Sequence, residues 1–259
     1  MIIRPLRPLA SNNKFVSAWE AVLRTQTQDY ESCWLITQPS HAALAADLAA
    51  NISPSGLPLA DSQILRAIAL HDAGWGIPDA QAIMKSRSVH PVQPHSFVAM
   101  PVAQFLEAWG ASIKTAESVS PAGGYIVSRH FFRLAEHRLN TAQKESMSDS
   151  RKLQSFLQAE ERRQGKLAGK QVLSCEQLEQ LTDLLQFCDL LSLFVCCGTS
   201  ESVEFPEYFG VKLRVANKSE SYEVDPPVIK SGAEFTVAAL RYPATKEVSS
   251  TEIRIKIGN

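Results

Sequence analysis

At 259 residues the chain is long enough for one sizeable domain, or one domain with a smaller appendage. Its 45% hydrophobic and 20% charged residues are ordinary for a soluble globular protein, and a formal net charge of −1 gives no reason to expect nucleic acid or a membrane surface as a partner. Residues 1–8 hold no apolar stretch of signal-peptide length and no run approaches a membrane span, so the expected setting is cytoplasmic.

Residues 1–8 alternate weakly, as a short strand would, and residues 33–37 are a better strand candidate. Ser40 then reads as the N-cap of an alanine-rich helix on which Leu44, Leu48 and Ile52 recur at helical spacing, which puts His41 in its first turn. A turn follows over residues 53–58. Asp61 or Ser62 caps the next helix, which carries Ile64, Leu65, Ile68 and Ala69 up to His71 and Asp72, with Gly74 and Gly76 ending it. Residues 76–101, with Pro78, Pro91, Pro94 and Pro101, read as a long functional loop that contains His90 and His95.

Helical patterns resume over residues 102–109 and 125–134. Residues 144–170 are charged and read as a solvated helix, with Phe156 and Leu157 as their main apolar content. Residues 178–194 are apolar on nearly every side, which is the pattern of a core helix, and Asp189 sits in the middle of them. Residues 211–215, 234–240 and 251–257 alternate with period two, as strands with one packed and one wet face do. The cysteines Cys33, Cys175, Cys188, Cys196 and Cys197 form no disulfide framework, and the last three read as buried thiols. The expected fold class is mainly α: a helical bundle over residues 1–200, short N-terminal strands included, with a small antiparallel β-sheet appended over residues 201–259.

His71 and Asp72 are adjacent ionisable groups at the end of an apolar helix, and burying both is unfavourable unless something pairs with them. Asp189 needs a partner for the same reason. An ion pair with Arg129 or Arg133 would serve it, and so would a metal shared with His71 and Asp72. His41 and His130 are placed alike, each on a helix of substantial apolar content. Four helices that each present a ligand-type group on an apolar stripe are how a helical bundle builds a metal site. Adjacent helical positions diverge by about 100°. His71 and Asp72 could therefore take neighbouring corners of an octahedral ion, which suits iron, manganese or magnesium better than a closed tetrahedral zinc.

The ordered set of His41, His71-Asp72 and Asp189 resembles the HD-domain superfamily, whose members are mostly metal-dependent phosphohydrolases, with a smaller branch of di-iron oxygenases. Residues 37–41, 71–75 and 127–131 (Thr-Gln-Pro-Ser-His, His-Asp-Ala-Gly-Trp and Val-Ser-Arg-His-Phe) are similar to an uncharacterised bacterial HD-like family. The likeness covers residues 30 to 200 and implies an HD-domain-like helical bundle. It implies His41, His71, Asp72 and Asp189 as ligands of a divalent metal, be it iron, manganese, magnesium, nickel or zinc. His130 and either His95 or His90 would hold a second metal, bridged by Asp72. Asp72 and His130 would be the catalytic residues. Trp75 departs from the family pattern, standing where many members carry a phosphate-contacting lysine; this puts direct transfer of a nucleotide substrate in doubt and is compatible with a flat or sugar-like ligand stacked on the indole. Phosphate contacts would then come from Lys85, Arg87, Arg129 or Arg133.

The expected function is metal-dependent hydrolysis of a phosphate ester or nucleotide-like substrate, with a metal-activated water as nucleophile. The partner is an anionic small molecule, and a homodimer is compatible with the sequence. Two alternatives stay open. One is a di-iron oxygenase built on His41, His71, Asp72, His95, His130 and Asp189. The other is a non-catalytic ligand-binding domain with the terminal sheet as an interaction surface. No Gly-x-Ser-x-Gly elbow supports a serine hydrolase, and no glycine-rich phosphate loop stands out.

Overall fold

A computed structural model describes residues 1–7, 16–52, 60–88, 90, 92–141, 146–218, 221–244 and 250–258. In chain order these form β1 (Ile2–Pro5), β2 (Val16–Ser17), α1 (Ala18–Gln26), β3 (Cys33–Ile36), α2 (Gln38–Ala50), α3 (Ser62–Ala69) and α4 (Gly76–Ser86). Then come α5 (Val102–Val119), α6 (Pro121–Thr141), α7 (Met147–Ala168) and α8 (Cys175–Cys197). The chain ends in β4 (Val203–Tyr208), β5 (Val211–Asn217), β6 (Tyr222–Asp225), β7 (Ala233–Tyr242) and β8 (Ser250–Gly258). The turn expected over residues 53–58 lies outside the described residues.

Helix α8 is the axis of the molecule. Ser174 caps it with a reciprocal capping box through Gln177, and Gly198 ends it in the left-handed region at φ 64°. Its length and apolarity would suit a membrane span, but its sides are covered by α1, α2, α6, β1 and β4. An apolar surface on every side is what such a position requires. Arg4 of β1 reaches the C-terminal end, where its Nη1 donates to the carbonyls of Val195 (2.7 Å) and Cys196 (3.3 Å). That bond satisfies carbonyls the helix cannot pair internally.

The strands form one eight-stranded mixed sheet in the order β1-β3-β7-β8-β6-β5-β4-β2, a half-barrel rather than a small appendage. Two pairs, β2 with β4 and β6 with β8, are parallel, and the others are antiparallel. The expected fold class is thus corrected on two points: the protein is not a helical bundle with a small antiparallel sheet, and the sheet takes strands from both ends of the chain. Strand β3 pairs with β7 some two hundred residues later, as in Leu35 opposite Leu240. The period-two segments do form strands, with Leu213, Val215, Phe235, Val237, Ala239, Ile255 and Ile257 turned inward. Phe205 and Tyr222 of this inner face meet Phe194 of α8 edge to face.

Residues 76–101, expected as loop, contain α4 and a short 3-10 turn at Phe97–Ala99. Pro78 stands in the first turn of α4, where a helix tolerates a missing N–H, so the proline marks a start rather than a break. Helix α7 is not simply solvated: it buries Leu153, Glu160, Gln164 and Leu167 against its neighbours. Cys33, Cys188, Cys196 and Cys197 are buried and unbridged, and burial pushes the Cys197 thiol up to about 12.

Candidate metal centre

Three local devices bring the ligand-type side chains together. Helix α2 is capped by Thr37, not Ser40: the Thr37 hydroxyl accepts from the Ser40 N–H at 3.1 Å. His41 is therefore the fourth residue of the helix, and it is fully buried. Helix α3 is capped by Asp61, whose Oδ1 accepts from the N–H groups of Gln63 and Ile64. It closes at Leu70, so His71 and Asp72 lie in the turn beyond the helix rather than on it. A 3-10 turn, Ala73–Trp75, then leads into α4. Gly74 lets that turn lie flush on α5, since a Cβ there would stand 2.0 Å from the Ala108 carbonyl oxygen. Asp189 and His130 come from the middles of α8 and α6.

The result is a buried cluster of three imidazoles and two carboxylates. His41, His71 and His130 are at most 1% exposed, and Asp72 and Asp189 are 6% and 9% exposed. His41 Nε2 stands 2.8 Å from Asp72 Oδ2, and His71 Nε2 stands 3.2 Å from Asp189 Oδ1. His41, His71 and Asp189 each offer one ligand atom, and these atoms all lie within 4.8 Å of one another. His130 Nε2 is 3.7 Å from Asp189 Oδ2, and its ring meets that of His71 edge-on at 5.6 Å.

The far nitrogen of each histidine shows what the near one must carry. His71 Nδ1 donates to the Ile68 carbonyl at 2.7 Å, a group that can only accept. The Ser192 hydroxyl donates to the Asp189 carbonyl (2.8 Å), so its lone pairs face His41 Nδ1 at 2.9 Å and that nitrogen donates. In a neutral imidazole the other nitrogen is then a bare lone pair. Both Nε2 lone pairs point at carboxylates, which are acceptors only. Such a pairing is repulsive unless a positive charge lies between the groups, either a proton on each ring or a cation bound by all of them. Two Nε2 atoms held in one tautomer by outer hydrogen bonds, with two carboxylates opposite, are a donor set that fits a divalent ion.

The electrostatics agree. Burial alone would pull the His71 imidazolium down, but Asp72 and Asp189 outweigh it and hold its pKa up at about 9. Burial would raise Asp189, yet the His71 hydrogen bond and the neighbouring histidines bring it down to about 2. The metal-free cluster thus keeps a proton where the cation would sit. His130 behaves in the opposite way: burial depresses it to about 4, so it stays neutral, and its buried Nδ1 has no hydrogen-bond partner among the described residues.

The remaining candidates lie elsewhere. Trp75 is 1% exposed and packs edge-on against Phe105 at 5.0 Å, so its indole has no face to offer a ligand. Lys85 and Arg87 are exposed at the far end of α4, with Lys85 about 14 Å along the axis from Gly76. His95 is exposed and lines a surface cleft of about 220 Å³ with Ile3 and Gln26, and His90 is exposed as well. Neither His90 nor His95 joins the cluster. Arg129 is bound to Glu179 through Nε and lies over the Phe132 ring. Arg133 is tied to Glu179 and Asp183, so neither arginine pairs with Asp189. Ser192 was the residue sequence reasoning missed. Its signal is a hydroxyl one turn after Asp189 in an otherwise apolar stretch.

No curated protein and no solved structure matches the chain. A family model described as "Protein of unknown function (DUF3891)" matches residues 23–238, which include His41, His71, Asp72, His130 and Asp189. The chain belongs to that family.

Proposed function

We propose that this protein is a metal-dependent hydrolase of HD-domain type, acting on a phosphate ester or another anionic, nucleotide-like small molecule. The observation that carries the reading is the pair of Nε2 lone pairs aimed at two carboxylates in a buried cluster. His41, His71, Asp72 and Asp189 would hold one divalent ion. A second ion of the di-iron type would need a sixth ligand, and His95 is exposed at the cleft beside Gln26. When bound, such an ion supplies a water of lowered pKa and polarises a phosphoryl oxygen.

The chain's own groups do the rest. The Ile68 carbonyl and the Ser192 hydroxyl keep His71 and His41 in the tautomer that leaves Nε2 free. Asp72 and Asp189 would offset the charge of such an ion. His130, kept neutral by burial, faces Asp189 through Nε2 and has a buried Nδ1 without a partner among the described residues. Near-complete burial excludes most water, which strengthens each of these interactions.

The test is elemental analysis of the protein as purified, followed by assay on a panel of phosphoesters. About one divalent ion per chain, lost together with turnover in His71→Ala and Asp189→Ala, is the expected outcome. Full metal retention in either variant would overturn the ligand assignment. Tight metal binding with no turnover of any phosphoester would overturn the hydrolase reading.

A further inference from the structure

The backbone N–H groups at the start of α2 can all be accounted for, and one of them leads outside the helix. Pro39 has no N–H, the Ser40 N–H goes to the Thr37 hydroxyl (3.1 Å), and the His41 N–H goes to the Thr37 carbonyl (3.2 Å). The Gln38 N–H instead donates to Asp79 Oδ2 of α4, at 2.6 Å. Among the described residues Asp79 is the one acceptor that the first turn of α2 takes from another helix. It is 3% exposed, and its Oδ1 faces the Met1 ammonium at 2.7 Å, which offsets the charge that burial penalises. The positive end of the helix dipole favours a carboxylate there as well. The bond is therefore short, charge-assisted and shielded from water.

Asp79 thereby closes a ring that runs through the metal centre. On one side of the ring Gln38 stands three residues before His41, one turn back along the same face of α2. On the other side Asp72 is followed by the 3-10 turn and by the first turn of α4, which reaches Asp79. His41 Nε2 and Asp72 Oδ2, 2.8 Å apart, are the second junction. The two first turns also lie together, since a Cβ on Gly76 would reach ordinary contact with the Pro39 ring at 4.0 Å. The outer side of α4 leaves Ile77 and Met84 each 73% exposed, so the buried side with Asp79 carries its attachment. Gln38 takes part through its backbone; its side-chain Oε1 is buried without a partner among the described residues.

Resting on the metal-centre reading above, we propose that Asp79 is a positioning residue for that centre: through the Gln38 N–H it sets the separation of His41 and Asp72, the ligands that would come from α2 and from the turn before α4. Asp79 is not itself a ligand, and it acts on the ion only through α2.

The test is a double-mutant cycle on the full chain, read as manganese(II) affinity from the free-ion signal in electron paramagnetic resonance. Asp79→Ala removes the acceptor. Gln38→Pro removes the donor at the first helical position, which suits proline, and after a Thr37 that is already extended (φ −73°, ψ 151°), so α2 should still start there. Each change should weaken manganese binding about tenfold, and the double variant should be no weaker than either alone. Urea unfolding separates this from a general loss of stability. Only Asp79→Ala also strips the Met1 ammonium of its partner, so its midpoint should fall further than that of Gln38→Pro while the two share one manganese affinity. Wild-type manganese affinity in either single variant would overturn the proposal and leave the metal centre standing. Effects that add in the double variant would overturn it as well. A wild type that binds no manganese would instead remove the reading on which it rests.

Discussion

Helix α6 carries two buried polar clusters two residues apart, and they are satisfied in different ways. At Ser128 the hydroxyl donates to Glu160 (2.9 Å) and accepts from the Gln164 amide (3.0 Å), while Arg163 donates to Glu160 at 3.0 Å and reaches Glu117. Every link there joins a donor to an acceptor, so the cluster between α5, α6 and α7 is complete as it stands. At His130 an imidazole nitrogen is left over, and next to it two imidazole lone pairs face two carboxylates. A network that closes on itself is structural by its chemistry. One that closes only around an added positive charge, a proton or a cation, is the kind of cluster for which we propose a bound ion.

The comparison is broken most severely by neutralising one carboxylate in the open cluster. Asp189→Asn keeps the shape but removes a charge and a ligand, and metal affinity should fall by more than about hundredfold. In the wild type, a free metal concentration about a hundred times Kd adds about 3 kcal/mol to stability. Thermal unfolding with and without added manganese should show that gain, and Asp189→Asn should lose it. The closed cluster should respond the other way. Glu160→Ala leaves the Ser128 hydroxyl and Arg163 Nε without their acceptor, costing about 2 kcal/mol. Denaturant unfolding should report that loss while manganese affinity stays unchanged. A large fall in manganese affinity would mean that the two clusters are one unit.

The next effect is smaller and concerns a residue that touches no ligand atom. Ser192→Ala removes the acceptor that keeps the proton on His41 Nδ1, and manganese affinity should drop about tenfold. Ser192→Thr should restore it, because threonine can make the same bond to a carbonyl one turn back. If Ser192→Ala binds manganese as tightly as the wild type, the tautomer argument for His41 fails.

What was legible in the sequence follows the range of the forces involved. The ligand types could be read because polar groups in apolar helices stand out locally, as Asp189 does between Cys188 and Leu190. The start of α3 could be read from Asp61 for the same reason. The position of His71 and Asp72 could not, because it depends on Leu70 closing the helix and on Gly74 docking against Ala108 of another helix. Trp75 was misread because its neighbour in the fold, Phe105, is thirty residues away. The sheet was misjudged on a larger scale: β3 looks like an isolated strand until β7 arrives, and nothing local marks that pairing or the parallel pairs. The tip of the β4–β5 hairpin could not be read because Phe209, at φ 58°, is not a residue that signals a two-residue turn.

The mildest test compares the centre with and without its ion by pH alone. In the metal-free protein His71 has a folded pKa of about 9 against an ordinary value of 6.5, so between these limits the folded state holds a proton that the unfolded chain has released. Its contribution to stability is complete below pH 6.5 and is lost as pH rises toward 9. The slope cannot exceed about 1.4 kcal/mol per pH unit for one proton. With a metal on Nε2 the folded state carries no proton there, while the unfolded histidine still binds one below pH 6.5. The loaded protein should therefore gain stability as pH rises to 6.5 and then level off through the window in which the metal-free form declines. Unfolding curves across that range, taken with chelator and with saturating manganese, should diverge with rising pH. Parallel curves would mean that proton and metal do not compete for the same nitrogen, and His71 would no longer be a ligand.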